Sequence, residues 1–508
     1  EVWRRHPGQD SLGQPADGEG TRHYHRDQVL TDLETKREGV IMGVQRRRTS
    51  GKGETSVHRR TFLKGAAATA GAAALGGIPR ILAAAQAPAR STGVTLRVMA
   101  YPFPVTQMIR DSRAEYEKQT GVKIEWDEAP WNEALSKQMA ELVAKTGRYD
   151  LFTIEGMWVG QEAGTGQLLE LDDLIARAGA ALDWEDFVQK RRQLFVYKGK
   201  VIGLPLETNI TMAAYRKDVF DQEGIKLPAK GSGYTHEEWL AIVKRLHKDG
   251  QIGTAWPLKP MMTAVQHWGN ALVSAGGRFF DEKLNPTFNS KESLRVAEFF
   301  RELLAFAPKD MLSYTNVEAN EGMMSGKVAT QTSHWASRIP MVEDKTKSKV
   351  AGKVRWTLLP YGGFAPGRKV GMAHNNGWCL GIPKGSKHQR EAFEFAVWAV
   401  SKENQNKLLG NFLTPPTRLS SLNAPGLDEK YVWLPAVKEA LAHSFDFPKI
   451  PEWAEIMERV GAELHGSWAG QTPLPKALDR ANQLVADLMK ERGYPVGTWK
   501  GAMLPWEG

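Results

Sequence analysis

One cysteine, Cys379, stands in a chain of 508 residues. That scarcity excludes an internal disulfide framework, a cysteine-ligated zinc site and an iron–sulfur cluster. It also leaves no cysteine to carry a lipid at an exported N-terminus. The uncharged run from Gly65 to Ile78 is rich in Ala and Gly and has about half of the ~20 strongly apolar residues a membrane-spanning helix needs, so it is not expected to span. Charge of one sign is scarce as well. The formal net charge is +9, but residues from 86 onward hold 53 Lys+Arg against 49 Asp+Glu, with no clustered basic face, so nucleic acid is not favoured as a partner. No nucleophile elbow, no HExxH and no telling Ser/His/Asp grouping is present. The stretch "SGKGETS" fails as a phosphate loop, because Arg46 stands where its first glycine belongs and Gly53 where its Ser/Thr belongs. No metal or cofactor site is expected.

What is present begins with "HRRTFLKG", from His58 to Gly65. Two arginines, an apolar pair and a lysine precede the Ala/Gly run, and the small-residue stretch "ILAAAQA" follows it, which is the three-part shape of a secretory signal. The segment resembles a twin-arginine export motif at every position but the first, where His58 stands. Cleavage is expected after Ala85. Residues 1 to 41 are polar without sustained apolar period, so a natural start is expected at Met42 and a cleaved, disordered leader and signal over 1–85. The exported protein is expected to be periplasmic.

About 420 residues then remain, enough for two or three domains with a large core. "VTLRVMAY" alternates as a strand, "TQMIRDSRAEYEKQTG" is a helix stopped by Gly121, and "VKIEWDEA" is a second strand. "NEALSKQMAELVAKTG" is a helix expected to be capped by Asn132 and ended by Gly147, and "YDLFTIEG" a third strand. Such a βαβαβ run builds an open, mainly parallel sheet whose ligands lie beyond the carboxyl ends of its strands. Those ends carry Tyr101 and Phe103, Glu128 and Trp131, then Glu155 and Trp158. "YKGKVIGLP" reads as a hairpin leading into new α/β material, where Thr235 caps the helix "YTHEEWLAIVKRLHKDG". "GMMSGKVATQTSHW" ends in a strand that delivers His334 and Trp335, and "HNNGWCLGIPKGS" is a further strand. His267 and Trp268 are placed at a helix start, and Cys379 in a buried strand. The chain has 17 Trp against 11 Tyr, and a flat apolar face with an N–H handle suits a ligand that is polar at its edges and rich in C–H on its faces, as sugars are.

The order of these pieces resembles the extracellular sugar-binding proteins of ABC transporters, the maltose-binding-like group of bacterial solute-binding proteins. The likeness is carried by "YEKQTGVKIEW", "GLPLETNITMAAYRKDVF", "AGGRFFDEKLNPTFNSKESLRVAEFF", "GMMSGKVATQTSHWA", "GWCLGIPKGSKHQREAFEFAVWAVSKENQ" and "PKIPEWAEIMERVGAELHGSWAG", and it covers nearly all of Val94 to Val496. It implies a two-lobed, type II periplasmic-binding-protein fold with hinge strands, one lobe over 94–207 plus 379–430 and the other over 208–378 plus 431–508. It implies a monomer that takes a small carbohydrate between its lobes, hands it to permease subunits and breaks no bond. Carried over by position, Tyr101, Phe103, Glu155 and Trp158 would line the first lobe, with Glu207 and Asn209 at the first crossing. Trp335 would be a stacking ring with His334 beside it, Asn376 and Trp378 would sit on a crossing strand, and Trp453 near the cleft. Arg418 would face the cleft from the loop "TPPTR", and Trp256 completes the set. Two rivals are weighed: a glycoside-acting enzyme using Glu155 and Glu207 as its carboxylate pair, and a clamp for a polyamine or other small solute, which for a polyamine needs an acidic, ring-lined cleft.

Overall fold

A computed structural model describes residues 93–506 apart from 230, 249, 260, 363–366 and 368. The expected leader, export signal and cleavage point lie outside the described residues. Thirteen strands are described: β1 (Thr95–Ala100), β2 (Lys123–Glu128), β3 (Leu151–Glu155), β4 (Val196–Tyr197), β5 (Lys200–Val201), β6 (Leu204–Pro205), β7 (Asn209–Arg216), β8 (Ile252–Thr254), β9 (Val328–Trp335), β10 (Val354–Thr357), β11 (Ala373–Asn376), β12 (Trp378–Gly381) and β13 (Ser444–Phe445). The helices that matter for the site are α1 (Pro104–Thr120), α2 (Trp131–Ala144), α3 (Met261–Ser274), α4 (Asn316–Met324), α5 (Trp453–Trp468) and α6 (Leu474–Glu491).

The expected βαβαβ run is β1, α1, β2, α2 and β3. Gly121 stops α1 in the left-handed conformation at φ 79°, which glycine adopts without steric cost. The next helix starts at Trp131 with Pro130 as its cap, so the expected cap Asn132 lies inside it. It ends at Ala144 because Lys145 itself takes the left-handed cap at φ 53°, ahead of Gly147. Thr235 caps its helix as expected, accepting from the Glu238 backbone N–H while Glu238 returns a bond to the Thr235 backbone. The hairpin of β4 and β5 turns through Lys198 and Gly199, both at positive φ. His267 and Trp268 lie in the middle of α3 rather than at its start.

Two mixed sheets result. The first has the order β2-β1-β3-β12-β6, and the second β13-β11-β7-β9-β8 with β10 also on β7. Only the β1–β2 and β1–β3 pairs of the first sheet are parallel; β12 runs antiparallel to both β3 and β6. The sheets are therefore less parallel than the βαβαβ run suggests, and the reason is a crossing. The stretch expected as one strand, "HNNGWCLG", is two: β11 pairs with β7 in the second sheet, and after Gly377 β12 pairs in the first. Beside it Leu206–Thr208 carries the chain from β6 to β7, tied on by the Leu206 N–H bond to the Trp378 carbonyl at 2.7 Å. Gly377 is required here, since a Cβ would lie 2.7 Å from the Glu207 carbonyl oxygen and 3.0 Å from Arg191 Nη1. A third segment joins the crossing where Thr208 donates to the carbonyls of Pro415, at 2.9 Å, and Pro416, at 2.8 Å. Cys379 is buried on β12 and packs against Gly203.

Candidate functional site

A cleft of about 500 Å³ opens where β1, β3, β9 and the crossing strands end. Its first wall is aromatic. Tyr101 and Trp378 stack with centroids 5.0 Å apart, and Phe103 leans on Trp378 at 4.9 Å. Tyr101 is fixed by its backbone: its N–H donates to Thr153 Oγ1 at 3.0 Å and its carbonyl accepts from Thr106 Oγ1 at 2.8 Å. Trp158, only 1% exposed, lies behind this wall and meets Trp378 edge-on at 5.3 Å. It supports the lining rather than forming it.

Glu155 closes the end of β3 and lines the cleft. Its Oε2 accepts from Trp131 Nε1 at 2.6 Å and its Oε1 from Asn376 Nδ2 at 2.7 Å. Burial pushes this carboxyl up to about 7, against the downward pull of the Asn376 and Trp131 donors. A carboxylate so occupied is a fixed acceptor that orients the indole and the amide.

The opposite wall comes from the second sheet. Trp335 ends β9 and lines the cleft, its ring backed by His374 at 6.0 Å and His267 at 6.2 Å. Asn209, at the start of β7, accepts through Oδ1 from the Ser337 N–H at 3.1 Å. Thr263 and Gln266 from α3, and Thr315 and Asn316 at the start of α4, add hydroxyls and amides. Arg338 and Lys259 complete this side.

The two walls share one backbone device. After β3 the chain turns through the 3₁₀ segment Gly156–Trp158 into a short helix, and after β9 it does the same through Ala336–Arg338. Glu155 has φ −79° and ψ 143°, and Trp335 has φ −78° and ψ 135°. Three residues on, Trp158 has −90° and −8°, and Arg338 has −98° and −7°. Each strand therefore offers its last residue to the cleft, and where the first corner then buries an indole the second presents a guanidinium.

Seven of the thirteen residues singled out from the sequence line this cleft: Tyr101, Phe103, Glu155, Asn209, Trp335, Asn376 and Trp378. The other six do not. Besides Trp158, Glu207 is fully buried in the crossing segment, both carboxyl oxygens lack a hydrogen-bond partner, and burial lifts it to about 8 with Arg191 opposing. His334 faces the other side of β9, where its Nδ1 accepts from Trp356 Nε1 at 3.2 Å. Trp256 packs edge-on against Phe300 at 5.4 Å, and Trp453 against Phe279 at 5.1 Å and Phe447 at 5.3 Å, both inside the core.

Arg418 is buried away from the cleft lining. Its guanidinium donates to the carbonyls of Val400 at 2.8 Å and Leu182 at 2.7 Å and to Asp186 at 3.2 Å, over the Phe187 ring. That set consumes the fork internally.

Sequence reasoning left Arg338, Lys259, Gln266 and Thr315 out of the candidate set. The short distance from Trp335 to Arg338 was the one signal that could have found the arginine, since any residue just past a strand end near a candidate ring deserves inspection.

Residues 112–436 match the profile of the bacterial extracellular solute-binding protein family, and residues 56–76 match the twin-arginine translocation pathway signal sequence. The chain is 25% identical over 452 residues to a probable amino-acid ABC transporter periplasmic-binding protein of Sinorhizobium fredii, covering 86% of this chain and 99% of that one. It is 26% identical over 423 residues to a mannitol-binding protein of Pseudomonas aeruginosa, covering 77% of this chain and 91% of the other. An ABC transporter solute-binding protein of Agrobacterium radiobacter K84, crystallised in complex with ribitol, superposes with a TM-score of 0.72 at 26% identity, over 78% of this chain and all of that one.

Proposed function

Since this chain belongs to the bacterial extracellular solute-binding protein family and carries a twin-arginine export signal, we propose that it is the periplasmic receptor of an ABC importer and captures a sugar or sugar alcohol in the cleft between its two sheets. The observation that carries this reading is the pairing of ring faces with fixed polar groups across one gap: Tyr101, Trp378 and Trp335 offer faces, while Asn209, Asn376 and Arg338 offer hydrogen-bonding edges. A polyol presents C–H surface on one side and hydroxyls on the other, and both need a match, because a buried unpaired polar group costs about 1–3 kcal/mol. The mannitol and ribitol named for two relatives are of this class.

Capture works as a hinge. Each sheet supplies part of the lining, and the crossings at Leu206–Thr208 and Gly377 are the connections about which two lobes turn. A ligand touching both sides favours the shut state and so biases an equilibrium the protein already has. The lobes we assign are 94–207 with 379–430, and 208–378 with 431–508. The closed pair then presents a surface to permease subunits, and the receptor acts as a monomer.

The rivals fit less well. A glycosidase pair needs two carboxyls facing one bond, yet Glu207 is buried outside the lining. A polyamine needs open carboxylates, and the acid that lines the cleft, Glu155, already accepts two hydrogen bonds while Lys259 and Arg338 stand opposite. Calorimetric titration of the purified protein against a panel of saccharides, alditols and polyamines tests the reading. Heat with a saccharide or alditol and none with a polyamine is expected; turnover of a glycoside would replace the proposal with the enzyme.

A further inference from the structure

The charges lining the cleft are unequal in a way that a neutral ligand leaves unanswered. Glu155 is the acid of the lining, and its two oxygens are taken by Trp131 and Asn376. Opposite stand two cations, Lys259 and Arg338. Among the described residues, Arg338 Nε is buried without a hydrogen-bond partner, and Nη1 lies 4.0 Å from the Met341 thioether. Glu207 lies within its electrostatic reach but does not pair with it, since both Glu207 oxygens are unpartnered. Lys259 acts electrostatically on Glu318, whose carboxylate is committed to the backbone N–H and hydroxyl of Thr315.

A half-buried guanidinium in the cleft that Trp335 and Asn376 also line, with its Nε–H unmet, calls for an acceptor-only group. An arginine fork matches a carboxylate in a planar, two-bond arrangement stronger than its bonds to hydroxyls. We infer that the ligand is an acidic sugar, a polyhydroxylated chain or ring bearing one carboxylate, held with the carboxylate on Arg338 beside Lys259 and its hydroxylated carbons between Trp335 and the Tyr101–Trp378 stack. This rests on the cleft being the solute site, and it narrows that reading from carbohydrates in general to their monocarboxylates. One fork and one ammonium suit the two oxygens of a carboxylate, which leaves the hydroxyls and amides of Thr263, Gln266, Thr315 and Asn316 for the hydroxyls of the sugar.

The test compares ligands of one carbon skeleton by calorimetry at fixed ionic strength: D-mannitol with D-mannonate, and ribitol with D-ribonate, plus mannitol 1-phosphate. At least one acid is expected to bind tenfold or more tightly than its alditol. That advantage should decline in part as salt rises from 20 to 500 mM, while the alditol affinity stays nearly level, because a partly buried ion pair is screened less than an exposed one and a neutral ligand hardly at all. Arg338→Gln should bring the acid-to-alditol ratio close to one, and Arg338→Lys should restore part of it. The salt series on the unaltered protein gives the answer even if Arg338→Gln folds poorly. Equal or tighter binding of the alditol overturns the inference while the importer reading stands, as does a phosphate bound more tightly than the acid. Binding of other neutral saccharides with none of the acids overturns it too. Absence of heat with every saccharide, acid and alditol removes the importer reading and this inference with it.

Discussion

Asn376 donates its side-chain amide to Glu155 Oε1 at 2.7 Å, joining the last residue of β11 in the second sheet to the last residue of β3 in the first. This bond spans the crossing at Gly377, and it sets the floor of the cleft between the rings of Trp335 and Trp378. A ligand that touches both walls therefore acts on a junction already tied by hydrogen bonds, and each prediction below follows from what the side chains around it do.

Stability should peak near neutral pH. Burial holds His267 and His334 at about 3 and His236 at about 4, below the ordinary 6.5. Such histidines favour the fold while neutral, so their contribution is full above pH 6.5 and is lost as pH falls. Glu155 at about 7 and Glu207 at about 8, raised from 4.5, favour the fold while protonated. Their contribution is full below pH 4.5 and is lost as pH rises through those values. Thermal melting from pH 4 to 9 should show a maximum between about pH 6 and 7, and Glu207→Gln should flatten the alkaline fall. An unchanged alkaline limb in that variant would contradict the assignment.

Two tryptophans that look alike in the sequence should behave differently. Trp335→Ala removes a cleft face and is expected to weaken ligand binding at least about tenfold, or roughly 1.4 kcal/mol. Trp453→Ala empties a core position between Phe279 and Phe447; it should cost about 3–5 kcal/mol of stability and leave the affinity of the folded fraction unchanged. Calorimetry paired with melting reads both, and a swap of the two outcomes would reverse the placement.

Why type alone failed to separate these residues is a physical matter. The strands β1, β2, β3 and β9 were legible because apolar alternation and the glycine and threonine caps act within a few residues of themselves. Gly377 was not legible as the switch between sheets, since a glycine within a strand signals close approach of another chain segment without saying which. Indoles serve core and cleft equally well, so Trp256 and Trp453 read the same as Trp335 and Trp378. Arg418 misled for a related reason: an arginine after "TPPT" can face a ligand or satisfy buried carbonyls, and here Leu182, Val400 and Asp186, distant in sequence, take it. The strand-end positions, by contrast, led to Tyr101, Phe103 and Glu155, which line the cleft, because an open sheet puts its carboxyl ends at one edge.

Arg418→Met should accordingly act on folding. Its guanidinium is 2% exposed and Asp186 10%, and removing one partner of a buried pair costs about 3–5 kcal/mol. Denaturant midpoints should fall while the dissociation constant of the folded protein stays the same. A large loss of affinity with unaltered stability would return Arg418 to the site.

Export should depend on the arginine pair. Replacing Arg59 and Arg60 with lysines, within the matched signal at residues 56–76, is expected to leave precursor in the cytoplasm and remove the protein from the periplasmic fraction. Unchanged periplasmic yield would point to a different export route.

The central claim is that a polyhydroxylated solute sits between Trp335 on one sheet and the Tyr101–Trp378 stack on the other. A crystal structure with the saccharide, alditol or sugar acid that gives the largest heat tests it directly. The account expects ligand density flanked by those rings and within hydrogen-bond reach of Asn209, Asn376 or Arg338. Well-ordered density outside this cleft, with the cleft itself holding only solvent, would contradict it.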